Sequence, residues 1–378
     1  MFMISERVRN LEMSGIRKMF DAAPEDAINL GLGEPDFSPP EVVKEALFQA
    51  VREGFNKYGP SRGILPLRDT IARIYEERYG PASRDNVLVT IGGSEALAVA
   101  ALSLYETGDE VLVPNPGFVL YSPHARMADA RPVPYSLKEE NSFLPDFGEI
   151  ESKITRRTKA IVVNSPSNPT GTVYSRRVVD RLVDLALKHD LTIISDEVYE
   201  EIQYLNEPYS SFWGRLDNVI VVNSFSKIFA LTGWRLGYML GEKEFVEQAN
   251  KLHYHLVACA PTPPQIAALK GLQAPKDEVQ AMVREFRARR DLIVKEIRNI
   301  KGMHCVTPTG AFYAFPSFDW NLTDAEAANA LLQRGLLCTP GSAFGSLGKG
   351  HLRFSFANSR ENISRGMQIL SEFAAEQR

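Results

Sequence analysis

Four short segments of this chain place chemically capable residues directly after apolar runs, and a fifth threads a charge through one. In Thr90-Ile91-Gly92-Gly93-Ser94-Glu95-Ala96, two glycines permit a tight turn into a helix whose free N–H groups would cradle an anion. The same residues fit a plain strand-to-helix turn with Ser94 as N-cap. They also miss only the last glycine of a G-x-S-x-G nucleophile elbow, so a serine hydrolase acting through Ser94 is a reading from another class. In Asn164-Ser165-Pro166-Ser167-Asn168-Pro169-Thr170-Gly171, two prolines restrict the turn and would aim the Asn168 amide at one place, unless this is only a rigid surface turn. Asp196-Glu197-Val198-Tyr199 sets a carboxylate and a phenol beyond an apolar run, where an Asp is otherwise a helix cap. In Asn223-Ser224-Phe225-Ser226-Lys227, with Arg235 and Gly237 close behind, the lysine sits where desolvation would lower its pKa, and only a neutral amine is a nucleophile; an exposed loop lysine is the plain alternative. Arg353, inside Leu352-Arg353-Phe354-Ser355-Phe356, is expected to meet a carboxylate, because an unpaired guanidinium there would be costly.

The elements that must hold these groups are legible as alternating periods. Apolar runs at 86–90, 110–113, 160–164, 191–195 and 218–222 read as strands, and 94–105 and 178–188 repeat apolar residues at helical spacing. Near-continuous apolar strands separated by helices predict a mostly parallel sheet covered on both faces, with ligands beyond the carboxyl ends of the strands. Past residue 272 the pattern changes to a charged helix (278–300), an aromatic strand (311–315), a Gly-rich loop (341–350) and a closing amphipathic helix from 362. We expect a large domain over 41–272, a smaller α+β domain over 273–378, and residues 1–40 packing with the smaller one.

Composition excludes several classes. The 378 residues carry 43 Lys and Arg against 47 Asp and Glu, without a sustained basic run, so nucleic acid is not an expected partner. The three cysteines, Cys259, Cys305 and Cys338, are widely spaced and form no CxxC pair, which predicts a reducing, cytoplasmic setting and no thiolate metal site. His253-Tyr254-His255 has period-2 spacing and no carboxylate triad nearby and reads as packing, so no metal is assigned. No stretch is apolar for the roughly 20 residues that a membrane span needs.

Taken in order, the motifs resemble those of a pyridoxal-phosphate aminotransferase of fold type I, in the aspartate and aromatic aminotransferase family. The resemblance runs over nearly the full length and rests on Gly31-Leu32-Gly33-Glu34-Pro35-Asp36-Phe37, Lys57-Tyr58-Gly59-Pro60-Ser61-Arg62-Gly63, Asn168-Pro169-Thr170-Gly171, Asp196-Glu197-Val198-Tyr199, Ser224-Phe225-Ser226-Lys227 with Gly233-Trp234-Arg235, and Arg353-Phe354-Ser355. It implies pyridoxal 5'-phosphate as cofactor, with Lys227 as its covalent anchor, Asp196 on the ring nitrogen, Tyr199 and Asn168 on the phenolic oxygen, and Phe118 over the ring. It further implies a phosphate site at Gly93, Ser94, Ser224 and Arg235, completed by Tyr58 of a second subunit in a homodimer with shared active sites. The substrate α-carboxylate would go to Arg353, helped by Asn168 and the Gly33 N–H.

The implied reaction moves an amino group from an L-amino acid to a 2-oxo acid by a ping-pong route, with the freed Lys227 as general base and acid. Other enzymes on this scaffold, such as C–S lyases, share the cofactor contacts and stand as an alternative. One aspartate-using branch of the family has a lysine where this chain has Ser94. We therefore expect a broad-specificity enzyme using 2-oxoglutarate, for which aromatic and neutral donors are at least comparable to aspartate.

Overall fold

The computed structural model describes residues 3–9, 24 and 26–377. After a two-residue strand β1 (Ile28–Asn29) the chain forms β2 (Val87–Thr90), β3 (Glu110–Asn115), β4 (Arg131–Ser136), β5 (Thr158–Asn164), β6 (Thr192–Asp196), β7 (Val219–Ser224) and β8 (Gly237–Leu240). These last seven make one sheet in the order β2-β8-β7-β6-β5-β3-β4. All neighbours run parallel except β8, which lies antiparallel between β2 and β7.

Alternation along each strand decides which layer it serves. Leu88, Val111, Val113, Val162, Ile194 and Ile220 pack with Ala96, Val99 and Ala100 of the helix Gly92–Leu104 on one face. Val87, Val89, Leu112, Ile161, Ile193 and Val221 pack on the other with Val179, Leu182 and Ala186 of the helix Arg176–His189. Both faces are thus covered, which is why these strands read as unbroken apolar runs. The sequence reading passed over β4, whose Arg131-Pro132-Val133-Pro134 has two prolines; the strand closes the sheet at its edge, where a missing N–H is tolerated.

A second apolar cluster gathers the long helix Asp277–Asn299, the closing helix Arg360–Glu376 and three small sheets. β1 pairs in parallel with Leu336–Leu337, so residues 28–29 join this C-terminal cluster. The predicted aromatic strand shrinks to Tyr313–Ala314, paired antiparallel with Leu352–Ser355, because Ala311 takes a left-handed φ of 52° just before it. The Gly-rich stretch is two 3₁₀ turns, Gly341–Phe344 and Ser346–Gly348, rather than an open loop. Asn115 at the end of β3 pins them: its Nδ2 donates to Ser346 Oγ at 2.9 Å and its Oδ1 accepts the Leu347 N–H at 3.1 Å. Among the described residues no helix is long and apolar enough to cross a membrane.

Candidate active site

The registers Asn164↔Asp196, Asp196↔Val222, Ser224↔Gly237 and Thr90↔Gly237 bring the ends of β2, β5, β6 and β7 and the start of β8 to one edge. A cavity of about 240 Å³ opens there, closed from the other side by residues 32–33, Tyr313 and Arg353. Gly33, Gly93, Ser94, Phe118, Asn168, Asp196, Tyr199, Ser224, Lys227, Arg235 and Arg353 all line it, from segments spread over 320 positions of sequence. Tyr58 does not: it is 89% exposed on the surface of its own chain.

The anion cradle forms at the start of the helix Gly92–Leu104. Gly92 turns the chain with φ 76°, and a side chain at Gly237 would come within 2.6 Å of the Gly92 carbonyl carbon, so the turn and β8 can meet only through glycine. A Cβ on Gly92 would lie 2.8 Å from Arg235 Nη2, which places that guanidinium over the same turn. Helix N–H groups and a guanidinium around one opening suit a phosphate. The helix begins two residues earlier than Ser94, with Ile91 at the cap and no side-chain capping bond, so Ser94 lies inside the first turn and is not the N-cap. Among the described residues it has no hydrogen bond to a histidine, and the general base of a hydrolase is missing from the arrangement.

Lys227 sits in a single helical turn, Phe225–Ile228, whose cap Ser224 accepts the Ser226 N–H at 3.2 Å through Oγ. Its Nζ donates to the Gly33 carbonyl at 2.8 Å. Burial lowers the amine to about 8, the charge of Glu34 working against the shift and Arg235 and Arg353 adding to it. Asp196, 3% exposed, is raised to about 6 by burial and drawn back by a hydrogen bond from Tyr121, by the Val198 N–H and by Lys227. Asn168 is held by its own N–H, which Asn164 Oδ1 accepts at 2.8 Å, while Asn164 Nδ2 donates to the Asp196 carbonyl at 2.9 Å.

Arg353 corrects an expectation. It is 2% exposed yet meets no carboxylate among the described residues. Its Nη1 donates to Asn168 Oδ1 at 3.0 Å, Nη2 donates to Gly31 O and, at 3.3 Å, to Thr339 Oγ1, and Nε has no partner. The rings of Tyr313 and Phe344 flank the guanidinium, with centroids 4.5 and 4.8 Å from Cζ. A buried cation with N–H groups to spare and no counter-charge of its own is prepared for an anion from outside.

Two groups escaped the sequence reading, and a third, read as packing, proves to have a buried carboxylate partner. Tyr121 donates to Asp196 Oδ2 at 2.7 Å; its only trace in the sequence is its place three residues after Phe118. Tyr313 meets the Tyr199 hydroxyl at 2.9 Å and fills the space where a side chain on Gly33 would be, 2.0 Å from its Oη. His253 is fully buried and bonded through Nδ1 to Glu95 Oε1 at 2.7 Å, while Glu95 Oε2 accepts the Ile91 N–H at 2.7 Å. Only the packing of the helix Lys243–Val257 against the start of the helix Gly92–Leu104 brings that carboxylate to the histidine.

No single contact defines the class, but an amine of lowered basicity, a buried carboxylate and a helix N-terminus crowned by a guanidinium, at the switch edge of an α/β sheet, are what a fold type I pyridoxal-phosphate enzyme requires. Comparison with known proteins agrees. The profile of the family described as Aminotransferase class I and II matches residues 25–370. The chain is 40% identical over 377 residues to a probable aspartate aminotransferase of Methanocaldococcus jannaschii, covering 98% of this chain and 99% of that one. It is 35% identical over 386 residues to aromatic-amino-acid aminotransferase 2 of Thermococcus litoralis, covering 99% of each. An aspartate aminotransferase from Thermus thermophilus, solved with maleate, superimposes with a TM-score of 0.94 at 34% identity, covering 98% of this chain and 100% of that one. The chain belongs to the class I and II aminotransferase family, whose members depend on pyridoxal phosphate, and it is an aminotransferase. These relatives do not favour a C–S lyase or a hydrolase.

Proposed function

We propose that the enzyme moves the amino group of aromatic and other neutral L-amino acids, at least as readily as that of aspartate, to 2-oxoglutarate by a ping-pong mechanism in a cytoplasmic homodimer. The observation that carries the substrate reading is the inventory of cations in the cavity. Among the described residues, Lys227, Arg235 and Arg353 are the only lysines or arginines lining it, and each has a use. Ser94 stands in the phosphate turn where a lysine would supply another. A side-chain carboxylate near Phe118 and Leu97 would therefore lack a counter-charge from the described residues, whereas an aromatic or aliphatic side chain would bury area worth about 25 cal/mol per Å² there.

The residues present fit the cofactor. Gly93, Ser94, Ser224 and Arg235 would hold its phosphate, Asp196 its ring nitrogen, Tyr199 and Asn168 its phenolic oxygen, and Phe118 one face, while Lys227 would anchor it. Tyr58, exposed in its own chain, is free to reach the phosphate site of a second subunit. When bound, the cofactor supplies an electron sink for the pair left at the substrate Cα. Arg353 takes the substrate α-carboxylate and, fixed by Asn168, Gly31 and Thr339, sets which Cα bond faces Lys227. Lys227 Nζ, neutral above about pH 8, would accept the Cα proton and give it up to the cofactor within the same half-reaction, and the second half-reaction runs both transfers in reverse. The Gly33 carbonyl orients that amine between the two tasks.

The test is kcat/KM for tyrosine, phenylalanine, alanine and aspartate with 2-oxoglutarate. Comparable values, or aromatic preference, are expected; preference for aspartate above a hundredfold, about 3 kcal/mol in transition-state binding, overturns the neutral-pocket reading.

A further inference from the structure

The reaction as derived makes no use of Tyr121, yet this side chain is 4% exposed and its hydroxyl is committed to Asp196 Oδ2 at 2.7 Å. The other carboxylate oxygen, Oδ1, receives only a long contact of 3.4 Å from the Val198 N–H. On its far side the Tyr121 ring meets Phe118 edge to face, with centroids 5.7 Å apart and planes at 75°. One residue thus touches both groups that would define the position of the cofactor ring.

We propose that Tyr121 is a positioning residue for that ring: it fixes the rotation of the Asp196 carboxylate so that Oδ1 is the oxygen offered to the ring nitrogen, and it props Phe118 against the ring face. The proposal rests on the reading of Asp196 given above. The direction of the bond follows from burial, which together with the Asp196 charge raises the Tyr121 phenol well above its usual value, so the proton stays on tyrosine and the carboxylate accepts. Burial also works against the ionised form of Asp196, and Tyr121 is foremost among the groups that restore it. A hydrogen bond given to the charged form stabilises that form, and a charged Asp196 is the one that holds a protonated ring nitrogen.

The test compares cofactor affinity of the apo protein for pyridoxal 5'-phosphate and for its carbocyclic analogue, in which C–H replaces the ring nitrogen. Tyr121→Phe keeps the ring against Phe118 and removes only the hydroxyl. It should weaken pyridoxal phosphate about tenfold, the scale of one charge-assisted hydrogen bond, and leave the analogue within about twofold. Tyr121→Leu, which also removes the prop, should weaken both. Equal weakening of both ligands by Tyr121→Phe would show a structural role only and overturn the proposal, as would no change in either. Asp196→Asn separates the two layers of the argument: selective loss of pyridoxal phosphate there, without it in Tyr121→Phe, sinks Tyr121 and leaves Asp196 standing. Absence of selective loss in Asp196→Asn removes the reading of Asp196 and the proposal with it.

Discussion

Arg353→Lys keeps the charge at the carboxylate site and removes the shape. A guanidinium has five N–H groups, of which three go to Asn168 Oδ1, Gly31 O and Thr339 Oγ1, leaving Nε–H and one Nη1–H. An ammonium has three in all, on a stem that cannot lie flat between the Tyr313 and Phe344 rings as the guanidinium plane does, 4.5 and 4.8 Å from their centroids. The variant must either abandon the three protein acceptors or fail to meet the substrate. Truncating one partner of a buried charged pair costs about 2–5 kcal/mol, and because the charge is retained the lower part of that range applies. At about 2–3 kcal/mol, kcat/KM should fall about 30- to 150-fold. Steady-state assays with tyrosine, alanine and aspartate should show the same factor for all three, since each presents an α-carboxylate, and borohydride trapping of the bound cofactor should be unchanged. A loss under fivefold would refute the assignment. So would a loss confined to aspartate, which would move Arg353 to the side-chain carboxylate.

Lys227 is lowered from 10.5 to about 8, so it is protonated below that value and neutral above it, and the rate of cofactor attachment to the apo protein should fall about tenfold per pH unit below a midpoint near 8; a midpoint near 10.5 contradicts the burial argument. Lys227→Ala should abolish the borohydride-trapped adduct while the far-UV circular dichroism and melting temperature stay close to wild type, and a trapped adduct on another lysine would remove the assignment. Tyr58→Ala mixed with Lys227→Ala should regain activity through heterodimers that contain one intact site; if Tyr58→Ala alone is impaired and mixing restores nothing, the site is not shared between subunits.

How much of this was legible in the sequence follows from what each feature depends on. β6 and β7 were readable because strands buried on both faces must be apolar throughout, and that is a local property. Lys227, Asp196 and Asn168 were readable because Asp196 ends such a strand and the other two follow one within four residues, so the chain carries them to the carboxyl edge with no further information. β8 and β4 were not read: Gly237–Leu240 is a four-residue strand beginning at a glycine that the close approach of the Gly92–Gly93 turn requires, and β4 survives its prolines because it is an edge, which is a fact about neighbours.

Arg353 marks the boundary most clearly. Sequence alone determined that a guanidinium lies in an apolar strand and needs an anion. Only the tertiary structure decided that no carboxylate of the described chain reaches it and that two rings and three neutral acceptors hold it ready. The same holds for Tyr121, Tyr313 and the Glu95–His253 pair, whose partners lie 75, 114 and 158 positions away. Apolar periodicity follows from each residue's own environment and is written along the chain, whereas a hydrogen bond between remote side chains exists only once burial has removed water as the competing partner and packing has chosen which two groups meet.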